Sequence, residues 1–328
     1  MSTLESPKAL AEALGRGDRR ALSKAITLIE STTAEDRARA VELLGTLPKR
    51  EHPAFRLAIT GPPGAGKSTL IDQLGLEVLA SRQRLSVLTI DPSSRISGGS
   101  ILGDKTRMSR LLAEPNVFVR PSPSGSAGGG VAERTREAMR LCEAAGFDVV
   151  MVETVGVGQG ELAVRDMVDV CLVVLLAGAG DELTSIKRGV LEVGDVFVVN
   201  KADGAGMAAA EAARGMYAST LSMLLGSSSL VLAASGLTGL GMPEVWAAVS
   251  EKFRSLQASG ELFSLRASQS ERWFDELLAE EAVAAFLETR GAEEARREAL
   301  QLVRQGSLDA FAAARRVLER LQATRKGT

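Results

Sequence analysis

The stretch that most constrains this 328-residue chain is Gly61-Pro62-Pro63-Gly64-Ala65-Gly66-Lys67-Ser68-Thr69, which follows the apolar run Phe55–Thr60 and leads into a helical pattern. It fits G-x-x-x-x-G-K-[ST] with a strand before and a helix after, the setting that motif requires. Glycines let a backbone curl around a phosphate without Cβ clashes. The successive N–H groups and the start of the helix then supply partial positive charge. In such a loop Lys67 can bridge the β- and γ-phosphate oxygens, and the Ser68 hydroxyl can ligate Mg²⁺. A chance glycine-rich turn matches these positions in roughly a few per cent of chains this long. A loop of this kind works only between a strand and a helix anchored in a larger sheet, so the chain needs an α/β domain.

The rest of the chain supplies that sheet. Further strands are expected at Ser86–Ile90, Val117–Arg120, Asp148–Glu153, Val170–Leu176, Val196–Asn200 and Leu230–Ala234. Most are continuously apolar, as suits strands buried on both faces of a parallel sheet. Intervening helical patterns make right-handed crossovers, so the fold class is α/β, a doubly wound and mostly parallel sheet with ligands at the carboxyl ends of its strands. Residues 1–50 read as a helical extension. Asp18 caps a helix whose apolar face is Leu22, Ala25, Ile26 and Ile29, and Thr33 with Asp36 resembles a capping box opening a helix through Val41, Leu44 and Leu47. Residues 51–255 form the α/β domain, and after about Glu244 the strand signals stop. Residues 256–328 are a second helical extension, with one pattern around Trp273, Phe274, Leu277 and Leu278. The last pattern, Leu308, Phe311, Ala314, Leu318 and Leu321, is a narrow stripe flanked by charges, open to two readings: packing on the chain's own sheet, or self-association.

Strand ends locate the other candidates. Asn200-Lys201-Ala202-Asp203 follows Val196–Val199 and resembles the NKxD signature of GTPases. Guanine presents two adjacent donors that one carboxylate can accept, whereas adenine would leave a buried Asp203 unpaired. The Lys201 stem can cover the base and Asn200 can tie the loop to its neighbours; the alternative for Asp203 is a helix N-cap. Ser235-Gly236-Leu237 follows the last strand and can present an N–H to guanine O6. Asp91, Asp104 and Glu153 lie at or beyond strand ends, and one or two such carboxylates suffice, with Ser68, to hold Mg²⁺ directly or through water. Lys67, Glu153 and Asp91 are the candidate catalytic residues. Glu153 stands where many GTPases have the Asp of DxxG, and Gly156 would then give an N–H to the γ-phosphate, so that the segment moves when that phosphate leaves. Asp104, and to a lesser extent Asp91 and Glu153, has a solvated loop as its alternative. The glycine- and serine-rich Ser122–Gly130 reads as a mobile loop. Ala177–Arg188 is either a solvated helix entrance or a third switch. Gln159 is a candidate for orienting water only by residue type.

Composition excludes other chemistries. A single histidine, His52, rules out sites built on several histidines, and Cys142 and Cys171 offer no CxxC and sit in apolar patterns. Lys+Arg is 39 against Asp+Glu 41, so there is no basic footprint for nucleic acid. The longest apolar run, Val170–Ala179, is about half of a membrane span. The N-terminus shows no basic-then-apolar leader, so a cytoplasmic protein that binds neither membrane nor nucleic acid is expected.

Taken in order, GPPGAGKST, DPSS…GGSILGDKTRM, RPSPS, ETVGVGQ, AGAGDEL and NKAD resemble the MeaB/ArgK family of GTPases associated with methylmalonyl-CoA mutase, over about residues 15–260. One departure is Arg95-Ile96-Ser97, where a threonine-rich stretch is expected. The resemblance implies a P-loop GTPase domain with helical extensions, binding GTP/GDP with Mg²⁺ at low turnover, and a homodimer. It implies a chaperone of an adenosylcobalamin-dependent acyl-CoA mutase, gating cofactor loading and discharging damaged cofactor. A cobalamin-binding D-x-H-x-x-G pattern is absent, since the sole histidine lies in Glu51-His52-Pro53, so no cobalamin is expected on this chain itself. The histidine and cysteine scarcity also weighs against a nickel-delivery GTPase. Two alternatives compete. A small-molecule or protein kinase of the transport-kinase type needs a catalytic base and an acceptor pocket, and no such constellation stands out. A targeting GTPase usually carries a Met-rich or basic amphipathic module, and the nine methionines are scattered.

Overall fold

The computed structural model describes residues 6–31, 33–48, 50–91, 108–123, 134–154, 160–177, 191–225, 229–289 and 291–326. Asp104, Gly156, Gln159, residues 178–188 and residues 124–130 lie outside them, as does the side chain of Asp91. The chain forms two compact units, Met1–Leu265 and Arg266–Thr328.

The first unit holds β1 (Phe55–Thr60), β2 (Leu85–Asp91), β3 (Val117–Pro123), β4 (Val149–Glu153), β5 (Val170–Leu176), β6 (Val196–Asn200) and β7 (Leu230–Ala233). Among the described residues they make one sheet in the order β3-β2-β4-β1-β5-β6-β7, every neighbouring pair parallel. The apolar runs are continuous because both faces are covered. On β5, Cys171, Val173 and Leu175 enter one core while Val170, Leu172 and Val174 enter the other. Helices α1 (Pro7–Gly15), α2 (Arg19–Glu30) and α3 (Ala34–Gly45) contribute to the first core, with α6 (Thr135–Ala144) and α8 (Met207–Leu225). Helices α4 (Lys67–Ala80) and α9 (Met242–Ala258) contribute to the second, and the short α5 (Ser109–Leu112) adds Leu111 to it. Helix α7 (Gly160–Arg165) leads into β5. Because β4 lies between β1 and β2, and β5 lies on the other side of β1, the chain leaves opposite sides of β1, which makes its carboxyl end the switch point where such sheets take ligands.

The N-terminal caps form with one modification. Asp18 accepts from the Arg20 and Ala21 N–H groups, so its carboxyl sits below the usual carboxylate range. Thr33 accepts from the Asp36 N–H at 3.2 Å. The Asp36 carboxylate does not reach back to the Thr33 backbone, as a capping box would require; it accepts from the Ser31 hydroxyl at 2.6 Å. Leu22, Ala25, Ile26 and Ile29 are buried as expected, but Val41 is 69% exposed, and Ala40 and Leu43 carry the buried face of α3 instead.

The amino edge of the sheet shows a device that spacing did not reveal. Asp148, Asp169 and Asp195 each sit one residue before a strand. Asp148 accepts the Arg84 N–H at 2.9 Å, Asp169 the Arg56 N–H at 2.8 Å, and Asp195 the Cys171 N–H at 2.9 Å. Each carboxylate therefore fixes the start of a different strand. Arg50 pairs with Asp148 at 2.9 Å and Arg165 with Asp195 at 2.6 Å, which balances these carboxylate charges. Arg56 grips Glu143 through two nitrogens, and although burial lowers its affinity for a proton, that grip outweighs it and holds the guanidinium above its ordinary value. Both cysteines are free and buried, and burial pushes the Cys142 thiol up to about 12.

In the second unit, the later part of α10 (Glu261–Leu287) is followed by α11 (Ala292–Arg304) and α12 (Ala310–Lys326). Small residues pack here: Ala292, Ala295 and Ala299 of α11 and Ala313 of α12 are buried. Of the expected stripe, the Leu321 side chain lies outside the described residues and no other member is fully buried. Leu308 precedes the helix, Phe311 is 78% exposed and Leu318 is also exposed. On α10, Trp273 and Leu277 are half-buried while Phe274 and Leu278 face solvent. No helix among the described residues is long and apolar enough to cross a membrane.

Candidate nucleotide site

The phosphate loop closes over the carboxyl end of β1. At Gly61 φ is +143°, and a Cβ there would lie 2.1 Å from the Val174 carbonyl oxygen of β5, so only glycine fits. Gly66 precedes α4 in the left-handed region at φ +82°, with no side chain capping the helix. The first α4 N–H groups therefore point out of the loop unclaimed by a cap, the arrangement that binds anions. A Cβ on Gly66 would also lie 2.7 Å from the Asn200 side-chain nitrogen.

Lys67 folds back over its own loop. Its Nζ donates to the Gly61 carbonyl at 2.9 Å and the Pro62 carbonyl at 3.2 Å, and the residue is buried. The ammonium therefore already stands where phosphate oxygens would arrive. Ser68, the next residue, donates its hydroxyl to Glu153 Oε1 at 2.7 Å. Glu153 closes β4 and is also buried. Alongside, the Thr154 hydroxyl donates to Thr60 Oγ1 at 2.9 Å, and the Thr154 N–H to the Ile59 carbonyl at 3.1 Å, so the chain leaving β4 is pinned to the end of β1. Sequence reasoning missed this threonine pair, whose signal is a hydroxyl at each of two strand ends. No cluster of three metal-ligating side chains is found among the described residues, which leave out the Asp91 side chain and Asp104.

The second half of the site is joined to the first by Asn200. Its amide nitrogen donates to the Ala65 carbonyl at 2.8 Å, and its oxygen accepts the Gly236 N–H at 3.0 Å. One buried side chain thus holds both the phosphate loop and the loop after β7. Lys201 follows at φ +66° with its side chain exposed. Asp203 precedes a short 3₁₀ turn, Gly204–Gly206, yet its side chain does not cap that turn. The carboxylate instead accepts a hydrogen bond from the Ser235 hydroxyl. Ser235 Oγ in turn accepts from Leu237 N at 3.2 Å and Thr238 N at 3.1 Å. The structure therefore brings Asp203, Ser235, Gly236 and Leu237 together, with a difference from the sequence reading: the Gly236 and Leu237 N–H groups have internal partners.

Helix α4 carries a further tie. Asp72, one turn after Ser68, accepts the Leu111 N–H at 3.0 Å, and Arg110 donates to Gln73 and, at 3.5 Å, to the Leu237 carbonyl. The chemistry assembled is thus a ring of helix-start N–H groups with an ammonium, a hydroxyl–carboxylate pair beside it, and a carboxylate at the far end of a loop held in common.

Comparisons with known proteins agree with this arrangement. Residues 22–291 match the family described as methylmalonyl Co-A mutase-associated GTPase MeaB. The GTPase ArgK of Escherichia coli is 39% identical over 320 residues, covering 95% of this chain and 97% of that one. The mitochondrial methylmalonic aciduria type A homolog of Mus musculus is 42% identical over 287 residues, 83% of this chain and 69% of that protein. A crystal structure described as an LAO/AO transport system kinase superposes with a TM-score of 0.72 at 33% identity, covering 98% of this chain and all of that one.

Proposed function

The chain belongs to the MeaB family of methylmalonyl Co-A mutase-associated GTPases, and from that membership we propose that it is a GTP-driven chaperone of an adenosylcobalamin-dependent acyl-CoA mutase. It is itself a P-loop GTPase. The observation that carries the mechanism is the Asn200 side chain, bonded at 2.8 Å to the phosphate loop and at 3.0 Å to the loop beside Asp203. Phosphate and base are gripped by two loops that cannot shift independently.

In the proposed cycle the triphosphate lies on the α4 N–H groups, and Lys67 exchanges the Gly61 and Pro62 carbonyls for phosphate oxygens. Asp203 exchanges Ser235 for the paired donors of guanine. Lys201 lies over the base. Ser68 and Glu153 are the residues that would hold Mg²⁺, with Asp91 and Asp104 as further oxygen ligands. A buried hydroxyl and carboxylate 2.7 Å apart beside the phosphate loop suit a hard cation. When bound, the ion supplies neutralisation of charge developing on the phosphate oxygens. The Gly156 N–H meets the γ-phosphate, so that loss of this phosphate frees the chain beyond Thr154, while Thr154 itself stays pinned to β1. The segments Asp91–Asp104 and Ala177–Arg188 belong to the same nucleotide-sensing surface.

The output of the cycle is a change in affinity for the mutase. Because coupling is reciprocal, the mutase also changes nucleotide affinity. Cobalamin resides on the mutase in this scheme, consistent with a chain that has one histidine and no D-x-H-x-x-G pattern. A homodimer through the C-terminal helices is supported by the exposure of Phe274, Leu278, Phe311 and Leu318 in one small unit. The setting is cytoplasmic. The test is a binding assay between the purified chain and a candidate acyl-CoA mutase with GDP and with a non-hydrolysable GTP analogue. The reading predicts a complex whose affinity differs at least severalfold between the two nucleotides. No nucleotide-dependent complex, together with γ-phosphate transfer to another acceptor, would overturn it.

A further inference from the structure

The α4-facing row of the sheet contains a polar group the site has not used. Parallel register aligns Ile59 of β1 with Glu153 of β4, Glu153 with Thr89 of β2, and Thr89 with Pro121 of β3. The residues two positions earlier, Leu57, Met151 and Val87, all enter the core beneath α4. Side chains two apart on a strand share a face, so Glu153 and Thr89 also point toward α4. Adjacent strands lie about 4.8 Å apart. Thr89 is therefore the immediate neighbour of the carboxylate that bonds Ser68, and it is 2% exposed. Among the described residues its hydroxyl has no hydrogen-bond partner. On the other side the row offers only the proline ring of Pro121.

A buried hydroxyl without a partner is uncommon and unfavourable. Valine has the same shape and would suit a row that otherwise reads Leu85 and Val87. The hydroxyl gains a purpose if the site fills. Mg²⁺ keeps several of its waters, and each such water needs acceptors for its protons. We infer that Thr89 is a positioning residue of the magnesium site: its Oγ1 would accept a hydrogen bond from a water that the ion keeps, and its own hydroxyl would donate to Glu153. This rests on the reading of Ser68 and Glu153 as holders of the ion. It extends the set of residues that set metal affinity to β2.

The test uses the full chain and a fluorescent GDP analogue, titrated across Mg²⁺ concentrations and in EDTA. Thr89→Val is expected to raise the Mg²⁺ concentration for half-maximal nucleotide retention about tenfold, as loss of an outer-shell partner does. Affinity in EDTA and the melting temperature of the nucleotide-free protein should not fall. Thr89→Ser should stay near wild type. A Thr89→Val titration that superimposes on wild type, or a Thr89→Ser variant that behaves like Thr89→Val, would overturn the inference. Glu153→Gln separates the two layers. If it shifts the Mg²⁺ titration while Thr89→Val does not, the role of Thr89 alone fails. If neither shifts it, the assignment of the metal to Ser68 and Glu153 fails as well.

Discussion

The two edges of the sheet use the same residue type for opposite purposes. At the amino edge, Asp148, Asp169 and Asp195 accept strand N–H groups at 2.8–2.9 Å. Two of them also hold an arginine. These bonds join neighbouring strands and leave nothing to be exchanged. At the carboxyl edge the polar groups hold partners that a ligand can replace: Lys67 on its own loop's carbonyls, Asp203 on Ser235, and Ser68 on Glu153. The Thr89 hydroxyl has no partner among the described residues. A carboxylate's role in this fold is thus set by whether its partner is fixed backbone or a movable side chain.

That contrast breaks if the two edges respond alike to substitution. The largest expected effect is at Asp203. Asp203→Asn should weaken GTP binding by about 100-fold or more, the equivalent of about 3 kcal/mol for two charge-assisted hydrogen bonds, and gain affinity for xanthosine triphosphate. Its melting temperature should stay near wild type, because Ser235 can bond an amide as readily. Titration calorimetry and a thermal melt on the same preparation check both halves.

At the amino edge the pattern should invert. Asp169→Ala leaves the Arg56 N–H without its acceptor at a fully buried position. The expected cost is about 1–3 kcal/mol of stability. A thermal melt should show a drop of about 2–4 °C per kcal/mol for a unit of this size. Guanine-nucleotide affinity should change less than twofold. If Asp169→Ala weakened nucleotide binding as much as Asp203→Asn, the division between edges would be wrong.

Much of this was legible in the sequence. The Phe55–Thr60, Val170–Leu176 and Val196–Asn200 strands occur as read, and the others differ by a few residues at their ends. They were legible because strands buried on both faces write themselves as unbroken apolar runs. The phosphate loop and Asn200–Asp203 were legible because their chemistry needs fixed spacing. The aspartate clamps were not, although each stands before a valine in the same short pattern, because each acts on a strand distant in sequence and only the strand order identifies which. Thr89 was hidden for a similar reason: its neighbour Glu153 is 64 residues away and is reached through register. Val41 was misread because α3 turns Ala40 and Leu43 inward, a rotation that a sparse apolar pattern does not fix. The C-terminal stripe was open to two readings, and Phe311 and Leu318 stand exposed because the helix–helix contact uses alanines, which allow close approach.

The central claim is that one carboxylate and one ring of main-chain amides, joined through Asn200, select a guanine nucleotide. Isothermal titration of the wild-type chain with GDP, GTP and ATP in Mg²⁺ tests it most directly. The account predicts saturable binding of both guanine nucleotides and ATP affinity at least about 100-fold weaker, the cost of leaving Asp203 unpaired against adenine. ATP bound as tightly as GTP, or no binding of either, would contradict it.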